Sequence, residues 1–86
     1  MNLTFTPSAW DDYQWFQLQD RRLLKRINQL IQEMLRTPFE GIGKPEPLRG
    51  DLSGYWSRRI NDEHRVVYTV HNDDVVIVAC RYHYVG

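Results

Sequence analysis

The sequence predicts an α+β fold: a twisted antiparallel β-sheet with an N-terminal helical hairpin packed on one face. Three observations carry that expectation. Apolar residues recur at helical spacing through the first part of the chain, from Trp10 to Leu35. β-Branched and aromatic residues crowd the second part, where short polar turns divide them. Helical and strand patterns are segregated along the chain, as they are where helices cover one side of an antiparallel sheet. At 86 residues the chain makes a single domain, residues 1–86, with one modest core.

Leu3-Thr4-Phe5 alternates as a short first strand. Pro7-Ser8 then reads as a helix entry, with Ser8 as the cap and Asp11 three residues on. Trp10 and Tyr13 share a face, and Phe16 extends it by about a turn. The pattern pauses at Gln19-Asp20, where Asp20 can cap a second helix running to about Arg36. Leu23, Leu24, Ile27, Leu30, Ile31, Met34 and Leu35 make that helix the strongest periodic signal in the chain. Its other face carries Arg21, Arg22, Lys25 and Arg26, by default a solvated stripe.

Thr37-Pro38 ends the helix, because a residue before proline is pushed out of the α region. Residues 38–54 hold three of the four prolines and four of the five glycines, so a long loop is expected there, anchored by Phe39 and Leu48. Loops of this length in a small domain are usually functional. The remainder reads as a meander: a strand over Tyr55–Ile60, a turn at Asn61-Asp62-Glu63, and a strand over Arg65–His71. A second turn at Asn72-Asp73-Asp74 leads to a strand from Val75 to about Tyr82.

Composition excludes several classes of function. A single cysteine, Cys80, rules out an internal disulfide and fits a reducing compartment. The longest apolar run, Val75 to Cys80, is too short to span a bilayer, and the first residues lack the pattern of a signal peptide. A cytoplasmic location with no membrane attachment is the expectation. The formal net charge is zero, so bulk attraction to nucleic acid is not predicted, although local basic patches are possible. His64, His71, His83 and Cys80 show no metal-ligand spacing, and Gly41-Ile42-Gly43-Lys44 lacks the remaining positions of a phosphate loop. Neither a metal nor a cofactor is expected.

What remains suits phosphate-ester chemistry. Cleaving RNA at its own 2′-hydroxyl needs a base, a clamp for the charge on the pentacoordinate phosphorus, and an acid for the leaving 5′-oxygen. Glu46, held between Pro45 and Pro47, is a candidate base, against the alternative of a solvated loop carboxylate. Arg65 offers a planar fork for phosphate oxygens, or else pairs with Glu63 or Asp62 across a turn. His83 can donate a proton near neutral pH, and Tyr84 can hydrogen-bond or stack on a base. Tyr82 and Tyr84 can equally pack at a sheet end, and Trp10, Trp15 and Trp56 are expected in the core or at a partner surface. A regular strand cannot send both His83 and Tyr84 into one cleft, because successive side chains point to opposite faces. The expectation is therefore that the strand ends before them and the chain turns.

Several runs together resemble the YoeB/Txe toxins of the RelE/ParE superfamily. They are Trp10-Asp11-Asp12-Tyr13, Pro38 through Leu48, Leu52 through Ile60, Glu63-His64-Arg65-Val66-Val67-Tyr68, and Cys80-Arg81-Tyr82-His83-Tyr84. The resemblance covers essentially the whole chain in order and spacing. It implies a RelE-like, microbial-ribonuclease-like fold and a ribosome-dependent mRNA endoribonuclease. Such an enzyme cleaves mRNA in the ribosomal A site, inhibits translation, and is neutralised by a cognate antitoxin whose disordered segment folds onto it. By matching position, Glu46 is the general base, Arg65 the phosphate clamp, His83 the general acid and Tyr84 a substrate-orienting group, with no metal required. Lys44, Arg49, Arg58 and Arg59 are implied contacts to RNA phosphates or to the ribosome, and a homodimer is implied as well.

Arg49 departs from the lysine common in related toxins, which keeps the charge and changes its geometry. Val85-Gly86 extends past the usual terminal Tyr-His-Tyr. Two alternatives stay open: a ParE-like gyrase poison on the same scaffold, and a ribonuclease that needs no ribosome. A non-catalytic binding module is a third.

Overall fold

The computed structural model describes residues 1–82. Strand β1 (Asn2–Phe5) leads into helices α1 (Pro7–Gln19) and α2 (Arg21–Arg36). Four further strands follow: β2 (Glu46–Pro47), β3 (Trp56–Arg59), β4 (Arg65–His71) and β5 (Asp74–Ala79). They form one sheet in the order β1-β5-β4-β3-β2. The expected α+β fold is therefore present, with an antiparallel meander from β2 to β5. β1 joins it in parallel to β5, with Leu3 opposite Val75 and Phe5 opposite Ile77. Because β1 and β2 lie at opposite edges, the helical hairpin must carry the chain across the sheet, and it buries its apolar face in doing so.

The α1 entry differs from the expectation by two residues. Thr6, not Ser8, is the cap: its Oγ1 accepts a hydrogen bond from the Ala9 N–H at 3.2 Å. The reason is Pro7, whose fixed φ and missing N–H suit the first helical position and so leave the cap to the residue before it, Thr6. Asp11 consequently takes no part in capping. Thr6→Ala should lower unfolding stability by about 1 kcal/mol, whereas Ser8→Ala should change it by less than about 0.5 kcal/mol. Urea titrations of the two variants would check this, and equal costs would return the cap to Ser8. Asp20 caps α2 as expected, accepting from the Leu23 N–H at 3.2 Å.

The core lies between the hairpin and the sheet. Phe16, Ile27, Leu30, Ile31 and Met34 meet Val66, Tyr68, Val75 and Ile77, with Ala9 and Cys80 completing the cluster. Burying each of the larger side chains is worth about 1.5–3 kcal/mol. β5 carries a bulge: Val67 pairs with Ala79, but the next residue, Tyr68, pairs with Ile77. The extra residue shifts the alternation by one, so Cys80 rather than Ala79 joins the core, where its thiol donates to the Ala9 carbonyl oxygen at 3.7 Å.

Burial, helped by the Asp12 carboxylate, pushes the Cys80 thiol up to about 12. A thiol held neutral by the fold stabilises it fully below the ordinary thiol range, and that stabilisation is lost as pH rises toward about 12. Burial also raises the Tyr68 phenol, opposed by Arg58, so Tyr68 acts in the same direction. Folded protein at pH 8 should therefore resist alkylation at Cys80 until denaturant is added, and Cys80→Ala should shallow the alkaline stability loss. Rapid native-state alkylation would contradict the burial.

The expected loop over residues 38–54 contains more structure than its composition suggested. Glu46 and Pro47 pair with Ser57 and Trp56, and Gly50–Leu52 forms a turn of 3₁₀ helix. An edge strand tolerates Pro47 because only one side of its backbone is paired. β3 is one residue shorter at each end than expected, and β5 stops at Ala79 instead of near Tyr82.

Arg58 is a correction. Expected to face RNA or the ribosome, it is fully buried. Its Nε donates to the Tyr68 hydroxyl at 3.1 Å and Nη1 to the Ile42 carbonyl at 3.2 Å. Nη2 donates to the carbonyls of Thr37 at 2.5 Å and Glu40 at 2.9 Å, and the Tyr68 hydroxyl donates onward to the Pro38 carbonyl at 2.6 Å. The guanidinium thus ties residues 37–42 to the sheet with four of its five N–H donors, and its burial keeps it from phosphate. Alternation explains its direction: Arg58 pairs with Val66, and both lie on the helix-covered face.

Candidate active site on the open sheet face

The residues that alternate with the core side chains define the other face of the sheet. Ser57 pairs with Val67, Arg59 with Arg65, and Glu46 with Ser57, so these five side chains share the face turned away from the helices. Arg59 stands directly across from Arg65 and diagonally from Glu46. Glu46 on β2, Arg59 on β3 and Arg65 on β4 therefore follow one another across this face, an exposed carboxylate with two guanidinium groups to one side of it.

Glu46 is placed by a series of backbone restraints. The Gly43 carbonyl accepts from the Arg59 N–H at 2.6 Å. Gly43 has φ 82°, and a Cβ there would sit 2.6 Å from Leu30 Cδ2, so only glycine lets the loop pass this close to α2. Lys44 follows with φ 50°, and the pairing of Glu46 with Ser57 completes the attachment. Arg58 holds the preceding residues, as described above.

Arg65 opens β4 and is half-buried. Its Nη1 donates to the carbonyls of Asn61 and, at 3.0 Å, His64. These bonds orient the planar group from one edge, and among the described residues it forms no ion pair with Glu63 or Asp62. Burial first, then the neighbouring Arg59 charge, lowers its pKa, while Asp62 and Glu46 oppose the shift. An arginine so placed still stays cationic and gains by receiving an anion.

Of the other expected residues, Lys44, Arg49 and Arg59 are exposed near this face or along the segment leading to it. Arg58 is turned away. His83 and Tyr84 lie outside the described residues. β5 does end before them, and the chain bends at Tyr82 with φ 67°, as the alternation required. The Tyr82 carbonyl accepts from the Arg65 N–H at 3.0 Å, so the chain immediately before His83 rests on the start of β4. Among the described residues no group of three or more His, Cys, Asp or Glu side chains is placed to hold a metal ion. An open groove lined by Arg26, Gln29, Gln32, Arg36 and Ile42 runs along α2.

Residue-by-residue inspection overlooked Asn61 and His64. The Asn61 carboxamide oxygen accepts from the N–H groups of Glu63 at 2.9 Å and His64 at 2.7 Å, closing the turn that presents Arg65. The available signal was an asparagine opening a four-residue turn, which commonly caps its own backbone.

Residues 5–84 match the family described as YoeB-like toxin of bacterial type II toxin-antitoxin system. Toxin YoeB of Synechocystis is 61% identical over 84 residues, covering 98% of each chain. The solved YoeB/ParE toxin from Agrobacterium tumefaciens is 52% identical with a TM-score of 0.95, covering 98% of this chain and all of that one. YoeB of Staphylococcus aureus, solved as a dimer, is 50% identical with a TM-score of 0.90 over 98% of both chains. A YoeB of S. aureus has also been solved in a heterotetrameric complex with YefM, there 50% identical with a TM-score of 0.89 over 98% of both chains. With the family model, the relatives and the fold in agreement along nearly the whole chain, this chain belongs to the YoeB-like toxins of bacterial type II toxin–antitoxin systems.

Proposed function

We propose that the chain inhibits translation as a ribosome-dependent mRNA endoribonuclease, with its catalytic centre on the open sheet face around Glu46 and Arg65. The observation that carries the assignment is the row formed by the exposed Glu46 carboxylate and the two arginines on the neighbouring strands of that face. It supplies a base next to cations that can hold a phosphodiester. In the first step Glu46 takes the proton of the ribose 2′-hydroxyl, whose oxygen attacks the adjacent phosphorus. Arg65, with Arg59 beside it, stabilises the charge that builds on the non-bridging oxygens. His83 gives its proton to the departing 5′-oxygen, and Tyr84 orients the nucleotide. The products are a 2′,3′-cyclic phosphate on one fragment and a free 5′-hydroxyl on the other. All of this is acid–base chemistry by side chains of the chain itself. Lys44 and Arg49 add charge along the path of the RNA backbone, acting over about 8–10 Å before salt screens them.

The S. aureus relatives are solved in complex with YefM and as a dimer. We extend both properties to this chain, which would pair with a cognate antitoxin and with a second copy of itself. Among the described residues no helix is long and apolar enough to cross a membrane.

Mapping the ends of mRNA recovered from programmed ribosomes tests the proposal. Cuts at a fixed position in the A-site codon, absent from the same RNA without ribosomes, are the expected result. Equal cleavage of naked RNA would remove the ribosome from the mechanism. Undiminished protein synthesis from preformed mRNA would instead favour a ParE-like action on gyrase.

A further inference from the structure

His64 ends the turn that begins at Asn61, and its own main chain is held on both sides. Its N–H donates to the Asn61 side chain, and its carbonyl accepts from the Ile60 N–H at 3.0 Å. The imidazole points inward and is 4% exposed. Phe16 meets it edge-on at 5.1 Å and 89°, and Trp15 and Tyr82 lie at ring distances of 6.5 and 5.7 Å. Packing of this kind asks only for a flat apolar ring.

The nitrogen atoms are used more specifically. Nδ1 accepts a hydrogen bond from the Tyr82 main-chain N–H at 2.8 Å. That bond places the ring proton on Nε2, which faces the Glu63 carboxylate at 3.3 Å. The next residue, Arg65, donates its own N–H to the Tyr82 carbonyl. The peptide groups on both sides of Tyr82 are therefore gripped by consecutive residues, one of which carries the phosphate clamp. Tyr82 holds φ 67°, a left-handed conformation unfavourable to a tyrosine and kept only where its surroundings enforce it. Arg81 is pressed flat on Trp15, its guanidinium carbon 3.6 Å from the ring centre, so the segment is fixed on that side too.

We propose that His64 is a positioning residue for the cleavage reaction, its Nδ1 lone pair fixing the direction in which the chain leaves Tyr82 beside Arg65. The proposal rests on the ribonuclease assignment above. A displacement of about 1 Å in a reacting group can cost roughly 100-fold in rate, so one main-chain hydrogen bond in this place has a large lever.

Two substitutions separate positioning from packing. The side-chain oxygen of asparagine reaches the position of Nδ1, whereas glutamine extends its amide toward Nε2 and leaves the Tyr82 N–H without its acceptor. His64→Asn should keep single-turnover mRNA cleavage on programmed ribosomes within about 3-fold of the parent chain, and His64→Gln should lose roughly 30- to 100-fold in kcat with KM within about 2-fold. Packing alone predicts the opposite order, because glutamine fills more of the ring's volume. Equal rates for the two variants, or a faster His64→Gln, would overturn the proposal.

If either variant fails to fold, nitrogen NMR of the ¹⁵N-labelled parent chain decides the question. An Nε2–H tautomer together with a slowly exchanging Tyr82 amide supports the positioning role. An Nδ1–H tautomer, or a rapidly exchanging Tyr82 amide, sinks it. A parent chain that does not cut ribosome-bound mRNA at all would bring down the ribonuclease assignment, whereas an active parent with indistinguishable variants removes His64 alone.

Discussion

Glu46→Gln should retain the fold and lose mRNA cleavage on programmed ribosomes by about 10²- to 10⁴-fold, the usual contribution of a general base. The side chain is exposed on an edge strand, and the pairing of that strand uses only main-chain atoms. Glutamine keeps the shape and removes the ability to take a proton. Arg65→Ala should fall by at least about 100-fold for a different reason, the loss of a cation preorganised against the developing charge. Arg65→Lys should recover little of this, since an ammonium group cannot reproduce a fork already held at one edge by two carbonyls. Single-turnover cleavage with thermal unfolding measured in parallel distinguishes lost chemistry from lost structure. Wild-type rates for Glu46→Gln and Arg65→Ala together would place the chemistry elsewhere on the molecule.

The second large effect is on stability. Arg58→Ala should destabilise the domain by about 3 kcal/mol, because it removes the donors of three partly buried carbonyl groups and opens a cavity beneath the loop. A small domain has only about 5–15 kcal/mol in all. Arg58→Met restores most of the volume and none of the donors, so it should still cost about 2 kcal/mol. Arg59→Ala, one residue along and exposed, should stay within about 0.5 kcal/mol of the parent chain while weakening binding to programmed ribosomes. Denaturant titrations compare the three. If Arg58→Ala unfolded within 1 kcal/mol of the parent, water would be satisfying those carbonyls and the buried guanidinium would not be what secures the loop.

The contrast between Arg58 and Arg59 marks the limit of what can be read locally. Both are arginines in one strand, and matching motifs assigned both to RNA. Alternation says that they face opposite ways, but not which face the helices will cover. That choice follows from packing, and the acceptors that make a buried Arg58 tolerable come from residues 16 to 21 positions away. The Ser8 cap failed for a smaller reason of the same kind, since two neighbouring hydroxyls compete and Pro7 settles the competition through its backbone. Asp20 had no such competitor, and its cap was legible.

The sequence by itself determined the two helices and their apolar faces, the three long strands and the polar turns between them, and its resemblance to a family singled out Glu46 and Arg65 as candidates. Each of these rests on periodicity, on turn chemistry, or on a motif spanning a few residues. Only the tertiary structure decided that β1 lies parallel to β5, that a bulge turns Cys80 inward, and that the loop becomes a strand at Glu46. It alone brought His64 and Arg65 together on the main chain of Tyr82. The physical reason is range: local preference is set by neighbours in sequence, whereas the facing of a side chain and the partner of a hydrogen bond are set by segments that meet only once the core has closed.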